Sequence, residues 1–365
     1  MFQYEYSPPL VRDKHGSSNV TKEVALHKFA QGTLRVDFHT HFIPQYLPAL
    51  GEKYSDEGWP TLIHNAPCQA DIYFEDKHYR RIDDRSWDPE RRLKDMEAEG
   101  VDVQVISPIP VTFAYGFSAQ GTLELAQMQN EEIAQAVAAS PEHFVGLGTV
   151  PLQDPDMAAI EVRRVVTTLK LSGVEIGTNI LGRNLDDPSL EPFWQACEEV
   201  GAVIFVHPAS VFSPERTSKY RLVFSIGYTS ETGIAAASIV MSGLLERHPG
   251  LHLCFAHGGG TFPWLLPRLD QTWRVFDDVK SMTATKPSEV ARRLTYDTLT
   301  YDHENLHLLI NRLGSDRLVM GTDYPFPLRE EPPGVVINTL ANLSDQARAD
   351  MLGRNALRFL GYTQS

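Results

Sequence analysis

Short apolar segments rich in β-branched residues recur along the chain and alternate with amphipathic segments. Several apolar segments are nearly continuous, which is typical of parallel strands that are covered on both faces. In chain order the predicted strands are LRVDFHTHF, VDVQVISPIP, FVGLGTVP, GVEIGT, AVIFVHP, LHLCFAHGG, LTYDT and RLVMGTDYP. The amphipathic segments have helical apolar spacing and often end at Pro or Gly. They include TLELAQMQNEEIAQAVAAS, DMAAIEVRRVVTTLK, SLEPFWQACEEV and SETGIAAASIVMSGLLERH.

This alternation predicts an α/β fold, specifically a (β/α)8 TIM barrel. A doubly wound open sheet is the alternative, but no G-x-G-x-x-G motif follows the first predicted strand. Residues 1–33 are predicted to form an N-terminal extension, and residues 34–365 the barrel. Residues 43–88 make a long excursion after strand 1, which predicts a small insertion subdomain at the C-terminal rim of the barrel.

Composition narrows the class of protein. A net charge of −14 argues against a nucleic-acid-binding surface. The three cysteines are scattered, which favours a reducing cytoplasm over a disulfide framework. The first residues lack the basic and apolar regions of a signal peptide, and no uncharged apolar segment approaches the roughly 18 residues of a membrane span. We therefore expect a cytoplasmic protein that binds neither nucleic acid nor membrane.

Ionisable residues stand at the ends of four predicted strands. His39 and His41 are two residues apart, so a strand would project both side chains from one face. His207, His257 and Asp323 close three later strands. Imidazoles and a carboxylate that converge from different strands suit a divalent cation such as zinc. Each residue alone also has an ordinary structural interpretation, as a core histidine, a loop cap or a turn aspartate.

The motifs DFHTH, FVHP, FAHGGG and GTDYPFP resemble those of the amidohydrolase superfamily, in its amidohydrolase-2 decarboxylase branch. Within that branch, the chain resembles the 2-amino-3-carboxymuconate-6-semialdehyde decarboxylase family over about residues 34 to 361. The resemblance implies metal-dependent, non-oxidative decarboxylation of a small unsaturated or aromatic carboxylate. The alternatives are a hydrolase or hydratase that acts on a related carboxylate, lactone or amide, and a catalytically silent binding barrel.

The resemblance also implies roles for the residues at the strand ends. The implied metal ligands are His39, His41, His207 and Asp323. Asp323 would also position a water on the metal, and His257 would be the acid/base residue that does not bind it. Dinuclear members of the superfamily carry a lysine on strand 4, where this chain has Glu175, so one metal ion is expected. Zinc is preferred and manganese is the alternative. Asp37 is either a helper of the site or a buried structural carboxylate.

The resemblance places three residues against a carboxylate substrate. Arg80 matches a substrate-binding arginine of the insertion, with Arg81 or Arg85 as alternatives in the same charged segment. Arg268 matches an arginine that the family contributes across a homodimer interface, which implies a homodimer. Phe224 stands where the family has a pocket tryptophan.

The substrate wall departs from the family at further positions. The family follows the strand-5 His-Pro with Trp-Asp, whereas this chain has Ala209 and Ser210. A second family arginine falls on Phe276, with Arg274 nearby, so its role is not transferred. Because indole bulk is replaced, we expect a cavity that is larger or differently shaped.

Overall fold

An eight-stranded parallel sheet lies at the centre of the molecule. The computed structural model describes residues 33–54, 58–74 and 77–362, so the predicted N-terminal extension lies outside the described residues except for Thr33. The strands are β1 (Val36–Phe42), β2 (Pro60–Ala66), β3 (Gln69–Phe74), β4 (Lys77–Asp83), β5 (Val103–Pro108), β6 (Phe144–Gly148), β7 (Gly173–Gly177), β8 (Asn179–Ile180), β9 (Arg183–Asn184), β10 (Val203–His207), β11 (His252–Phe255), β12 (Thr295–Asp297) and β13 (Leu318–Val319). The central sheet has the order β1-β5-β6-β7-β10-β11-β12-β13, and its paired strands are parallel.

The sheet closes on itself between its first and last strands. The His41 amide donates to the Tyr324 carbonyl, and the Asp323 amide donates to the His39 carbonyl, each over 2.8 Å. Gly321 permits this close approach, because a Cβ there would lie 2.7 Å from the Cβ of His39. These contacts confirm the predicted (β/α)8 barrel. Strand β13 is shorter than the predicted strand RLVMGTDYP, because the chain leaves the extended conformation before Asp323, whose φ is positive at 68°.

Helices connect and surround the strands. They are α1 (Leu50–Tyr54), α2 (Pro89–Glu99), α3 (Ala119–Ala139), α4 (Pro155–Thr167), α5 (Glu191–Val200), α6 (Pro214–Thr217), α7 (Tyr228–Met241), α8 (Leu244–Arg247), α9 (Phe262–Val275), α10 (Asp277–Met282), α11 (Pro287–Ala291), α12 (His303–Leu313), α13 (Val335–Thr339), α14 (Asp345–Ala349) and α15 (Asn355–Phe359). In the described ranges, none combines the length and the apolar character needed to cross a bilayer.

Local sequence explains where two of the barrel helices begin. Asp88 and Asp154 each cap a helix that starts with proline, and each carboxylate accepts a hydrogen bond from a free amide of the first turn. Proline fits the first helical position because it has no amide hydrogen to leave unpaired. Gly100 ends α2 with a φ of 69°, a conformation that favours glycine.

A three-stranded antiparallel sheet, β2-β3-β4, follows β1. Its apolar face packs Ile72 against Ile109 and Phe326, which follow barrel strands β5 and β13. The small sheet therefore lies on the C-terminal rim of the barrel. Its last strand places Tyr79 and Arg80 beside the mouth of the barrel.

The lower half of the barrel lumen is apolar. Val36 and Phe38 of β1 pack with Phe205 of β10, and the C-terminal helix α15 contributes Leu357 to the same cluster. The pairing of β1 with β5 shifts register between Asp37 and Thr40. This bulge resets the alternation of side chains, so that Phe38 and His39 both contact Phe205. The histidines of β1 consequently sit directly above the apolar floor.

Candidate metal centre and active site

Three histidines point the same ring nitrogen toward one another at the C-terminal end of the barrel. Their Nδ1 atoms each have an acceptor: Asp297 Oδ2 at 2.7 Å for His39, the Pro108 carbonyl at 3.3 Å for His41, and the Pro208 carbonyl at 2.9 Å for His207. An imidazole that donates through Nδ1 carries its lone pair on Nε2. The three Nε2 lone pairs therefore face one common point.

Asp323 completes this group. One ligand atom from each of the four residues His39, His41, His207 and Asp323 lies within 4.8 Å of all the others. The two Nε2 atoms of His39 and His41 are 3.1 Å apart, and Asp323 Oδ1 is 3.1 Å from His41 Nε2. Atoms that share an ion at about 2.0–2.2 Å lie roughly 3 Å from each other. The structure thus brings together all four side chains that the sequence predicted as metal ligands.

The donor set fits a divalent cation. His207 Nε2 and Asp323 Oδ1 are buried and have no hydrogen-bond partner among the described residues. Lone pairs that converge in a buried site repel one another. A cation removes that repulsion and gives each nitrogen and oxygen lone pair a partner. Three imidazoles and one carboxylate form a mixed nitrogen and oxygen donor set of the kind that binds zinc.

The protonation of these residues reflects their burial. Burial lowers the pKa of His41 to about 4 and lowers the pKa of His207 well below its usual value. Burial also disfavours a charged His39, but the hydrogen bond and the charge of Asp297, together with the charges of Asp323 and Glu175, outweigh it and raise the pKa of His39 to about 9. A metal ion that binds His39 must therefore displace a proton from it.

Asp297 is a central residue of the site that the sequence reasoning missed. Besides His39, its carboxylate accepts the amide of His257 at 2.9 Å, that of Gly258 at 2.8 Å and that of Leu299 at 3.1 Å. Asp297 thus fixes both the ring orientation of His39 and the backbone position of His257. The available signal was its position, because Asp297 is the second-last residue of the predicted strand LTYDT, close to the strand end where the other site residues also lie.

His257 and Asp323 hold unusual backbone conformations beside the cavity. Their φ values are 56° and 68°, in the left-handed region that non-glycine residues rarely adopt. The ring of His257 lies 5.0 Å from that of His207 and 5.4 Å from that of His39. Its Nδ1 has no hydrogen-bond partner in the described parts of the chain, and burial lowers its pKa. His257 is therefore next to the ligand group without belonging to it.

A cavity of about 1170 Å³ opens above the four converging side chains. His257 and Asp323 line its floor, and Arg80 and Phe224 line its wall. The Arg80 guanidinium stacks 4.3 Å from the ring centre of Phe326 and 5.4 Å from that of Phe224. In the described ranges no carboxylate forms an ion pair with Arg80, so its charge is available to an anion in the cavity.

The neighbouring arginines are already paired. Arg81 donates to Asp71 at 2.8 Å, and Arg85 donates to Asp83 at 2.7 Å. This pairing separates Arg80 from the two alternatives that the sequence left open. Arg268 is exposed on α9 and does not line the cavity of its own chain.

Two buried carboxylates support the site from outside the ligand group. Glu175 faces His41 from the Nδ1 side, 3.9 Å away, and so lies opposite the metal-facing nitrogen. Asp37 accepts hydrogen bonds from the amide and the hydroxyl of Thr322. Both carboxylates are at most 1% exposed. Neither carboxylate belongs to the ligand group.

A buried arginine anchors the strand that carries the histidine pair. Arg92 is fully buried and donates to the His41 carbonyl at 2.7 Å and to the Thr40 hydroxyl at 2.9 Å. Its guanidinium also lies 4.7 Å from the ring centre of Tyr324. Arg92 therefore ties α2 to β1 at the level of the metal centre, which its place in a charged helix did not reveal.

Comparison with known proteins agrees with this geometry. The amidohydrolase family model matches residues 36–362. A 2-amino-3-carboxymuconate-6-semialdehyde decarboxylase from Dictyostelium discoideum is 39% identical over 330 residues, which cover 90% of this chain and 92% of that protein. One from Caenorhabditis elegans is 29% identical and covers 89% of this chain and 94% of its own. The crystal structure of 5-carboxyvanillate decarboxylase from Sphingomonas paucimobilis superimposes with a TM-score of 0.76 and 27% identity, over 91% of this chain and 100% of that one.

A (β/α)8 barrel with converging histidines and an aspartate at its C-terminal end defines a metal-dependent barrel enzyme. The chain belongs to the amidohydrolase family, and within it is similar to decarboxylases. The family and the fold predicted from the motifs are both confirmed.

Proposed function

We propose that this protein is a metal-dependent, non-oxidative decarboxylase of a small unsaturated or aromatic carboxylate. One observation carries the proposal: the metal-ligand group lies at the floor of a cavity whose wall bears the guanidinium of Arg80, which has no ion-pair partner among the described residues. With a metal ion at the floor and Arg80 in the wall, the cavity would carry positive charge on two sides. Such a cavity suits an anionic substrate that must lose a carboxylate. The similarity to named decarboxylases supports this over other reactions of the family.

His39, His41, His207 and Asp323 would hold one divalent ion. Zinc is preferred because three imidazoles and a carboxylate suit it, and manganese is the alternative. When bound, the ion would supply a Lewis acid that polarises substrate oxygens and stabilises the negative charge that develops as the bond to the carboxylate breaks.

The protein side chains would orient the substrate and move one proton. Arg80 would bind a substrate carboxylate, with Phe224 and Phe326 packed against the unsaturated carbon skeleton. As the bond to carbon dioxide breaks, its electron pair stays on the substrate carbon, which then needs a proton. His257 would take a proton from solvent and deliver it to this carbon. Asp297 would hold both His257 and His39 in place through its hydrogen bonds.

Carbon dioxide release from a panel of substrates tests the activity. The panel contains ortho-hydroxy and ortho-amino aromatic carboxylates and carboxymuconate semialdehydes, with lactones and amides as the comparison. We expect carbon dioxide from at least one carboxylate and no turnover of the lactones or amides. Turnover of a lactone or amide without carbon dioxide release would replace the proposal with the hydrolase alternative. The double variant His39→Ala, His41→Ala serves as a reference without the metal ligands. If the wild type is as inactive and as free of metal as this variant, a catalytically silent binding barrel is favoured.

The active form is proposed to be a homodimer. Trp264, Val275 and Phe276, at the ends of α9, are each more than half exposed, and Arg268 lies between them on the same helix. Exposed apolar side chains grouped on one helix favour a protein partner. Light scattering coupled to gel filtration would give the mass of a dimer, and Trp264→Glu should lower it to that of one chain.

A cytoplasmic location stays a prediction from the sequence.

A further inference from the structure

A second cavity of about 630 Å³ adjoins the catalytic cavity. Four residues, Tyr79, Pro110, Val111 and Tyr228, line both cavities. They form the partition between the two spaces. The volume lies within the range of about 300–1,000 Å³ that is typical of small-molecule sites. The two cavities are therefore direct neighbours that share one wall.

The second cavity has a polar end with a buried carboxyl group. Glu231, in the first turn of α7, lines the cavity and is only 4% exposed. Its Oε2 accepts a hydrogen bond from Asn179 Nδ2 at 2.9 Å, and the same amide donates to Ser210 Oγ at 3.1 Å. Among the described residues that line this cavity, none is a lysine, arginine or histidine. Burial raises the pKa of Glu231, as expected for an acid that lacks a compensating cation.

The rest of the wall is apolar and leaves space for a carbon skeleton. Its lining includes Phe113, Tyr115, Val211 and Phe212, together with Ala209. Ala209 contributes only a methyl group, so a large side chain at this position would project into the cavity. The cavity thus combines an apolar middle with one acidic end, opposite in charge to the Arg80 end of the catalytic cavity.

We propose that the second cavity is a substrate subsite that binds an apolar arm ending in a primary ammonium group, which pairs with Glu231. The substrate would then be a bipolar carboxylate, with its carboxylate at Arg80 and its ammonium group at Glu231. This inference deepens the proposed function and rests on it for the position of the carboxylate. An ammonium group would supply the cation that buried Glu231 lacks, in surroundings where a charge pair is poorly screened.

Calorimetric binding of three probes tests the subsite. The probes are 2-hydroxybenzoate, its derivative with a 4-(3-aminopropyl) arm, and its derivative with a 4-butyl arm, which replaces the ammonium group by methyl. The wild type should bind the amino arm at least about tenfold more tightly than the butyl arm. Glu231→Gln should abolish that difference and leave binding of 2-hydroxybenzoate unchanged.

A second variant keeps the test decisive if Glu231→Gln does not fold. Ala209→Trp should weaken both armed probes at least about tenfold and leave 2-hydroxybenzoate unaffected. Equal binding of the three probes by the wild type would overturn the subsite, as would an amino-arm preference that survives Glu231→Gln. A change in molecular mass caused by Ala209→Trp would also overturn it, because the cavity would then belong to a protein interface.

The calorimetric test is separate from catalysis. A wild type that binds the amino arm through Glu231 but releases no carbon dioxide from any panel member would refute the proposed function and support the subsite. Carbon dioxide release together with equal binding of all three probes would support the proposed function and refute the subsite.

Discussion

Asp297 Oδ2 accepts a hydrogen bond from His39 Nδ1 over 2.7 Å, and this bond joins the last residue of β12 to the metal-facing strand β1. The bond selects the tautomer that presents Nε2 to the metal position. Because the same carboxylate accepts the His257 and Gly258 amides, one side chain aligns the ligand group with the proposed acid/base residue. The metal centre and the proton donor are therefore parts of one hydrogen-bonded unit.

Replacing this carboxylate should weaken metal binding. We expect Asp297→Asn to reduce zinc affinity by about 10- to 100-fold, since the amide accepts less strongly and can hold His39 in the wrong tautomer. Competition with a zinc chelator measures the affinity. Asp316→Asn is the matched control, because Asp316 is exposed and pairs with its neighbour Arg317. Equal zinc affinity of Asp297→Asn and the control would contradict the positioning role.

The guanidinium of Arg80, which lines the cavity, should strengthen substrate binding. We expect Arg80→Ala to lower kcat/KM by about ten- to a hundredfold, mainly through KM, because a charge-assisted hydrogen bond to the substrate is lost. Arg81→Ala is the control, since Arg81 is already paired with Asp71. Steady-state kinetics on the best substrate of the panel measure kcat and KM of both variants. A larger loss in Arg81→Ala than in Arg80→Ala would transfer the role to Arg81.

His257 should affect the rate and not the metal. We expect His257→Asn to keep its metal content and lower kcat by about 10²- to 10⁴-fold, as for the loss of a general acid or base. Elemental analysis and kinetics on the same sample measure both. His303→Asn, at an exposed histidine that contacts Thr339, should change neither. Loss of the metal from His257→Asn would instead make His257 a ligand.

The buried carboxyl group of Glu330 should make stability depend on pH. Burial raises its pKa to about 7, and the nearby charge of Asp37 contributes to the increase. Because the folded pKa lies above the unfolded one, Glu330 favours folding most below about pH 4.5, and this contribution is lost as pH rises through about 7. Glu330→Gln should therefore raise the free energy of unfolding at pH 8 by up to roughly 3 kcal/mol relative to wild type, and change it little at pH 4.5.

Urea unfolding at the two pH values measures this difference. Glu331→Gln is the control, because Glu331 is exposed and pairs with Arg329 at the surface. A stabilisation by Glu330→Gln that is the same at both pH values would show that folding does not raise the pKa of Glu330.

The sequence was sufficient for the barrel and for the ligand group, because both depend on periodic patterns. Parallel strands share one C-terminal edge, so residues that end different strands meet there, as His207 and Asp323 do. The bulge after Asp37 could not be read from the sequence, since alternation alone places Asp37 and His39 on the same face.

Choices among chemically equivalent residues also required the structure. Arg80, Arg81 and Arg85 look alike in the sequence, and only their pairing separates the free guanidinium from the neutralised ones. Asp297 was missed because one acid at a strand end carries no signal of its own, whereas its four hydrogen bonds define its role.

We propose that decarboxylation requires one metal ion, held by His39, His41, His207 and Asp323. Carbon dioxide release by chelator-treated protein during titration with zinc or manganese tests this requirement. We expect negligible release without metal and full release at one ion per chain, with no recovery in His207→Ala. Full release from the metal-free protein, or saturation at two ions per chain, would contradict it.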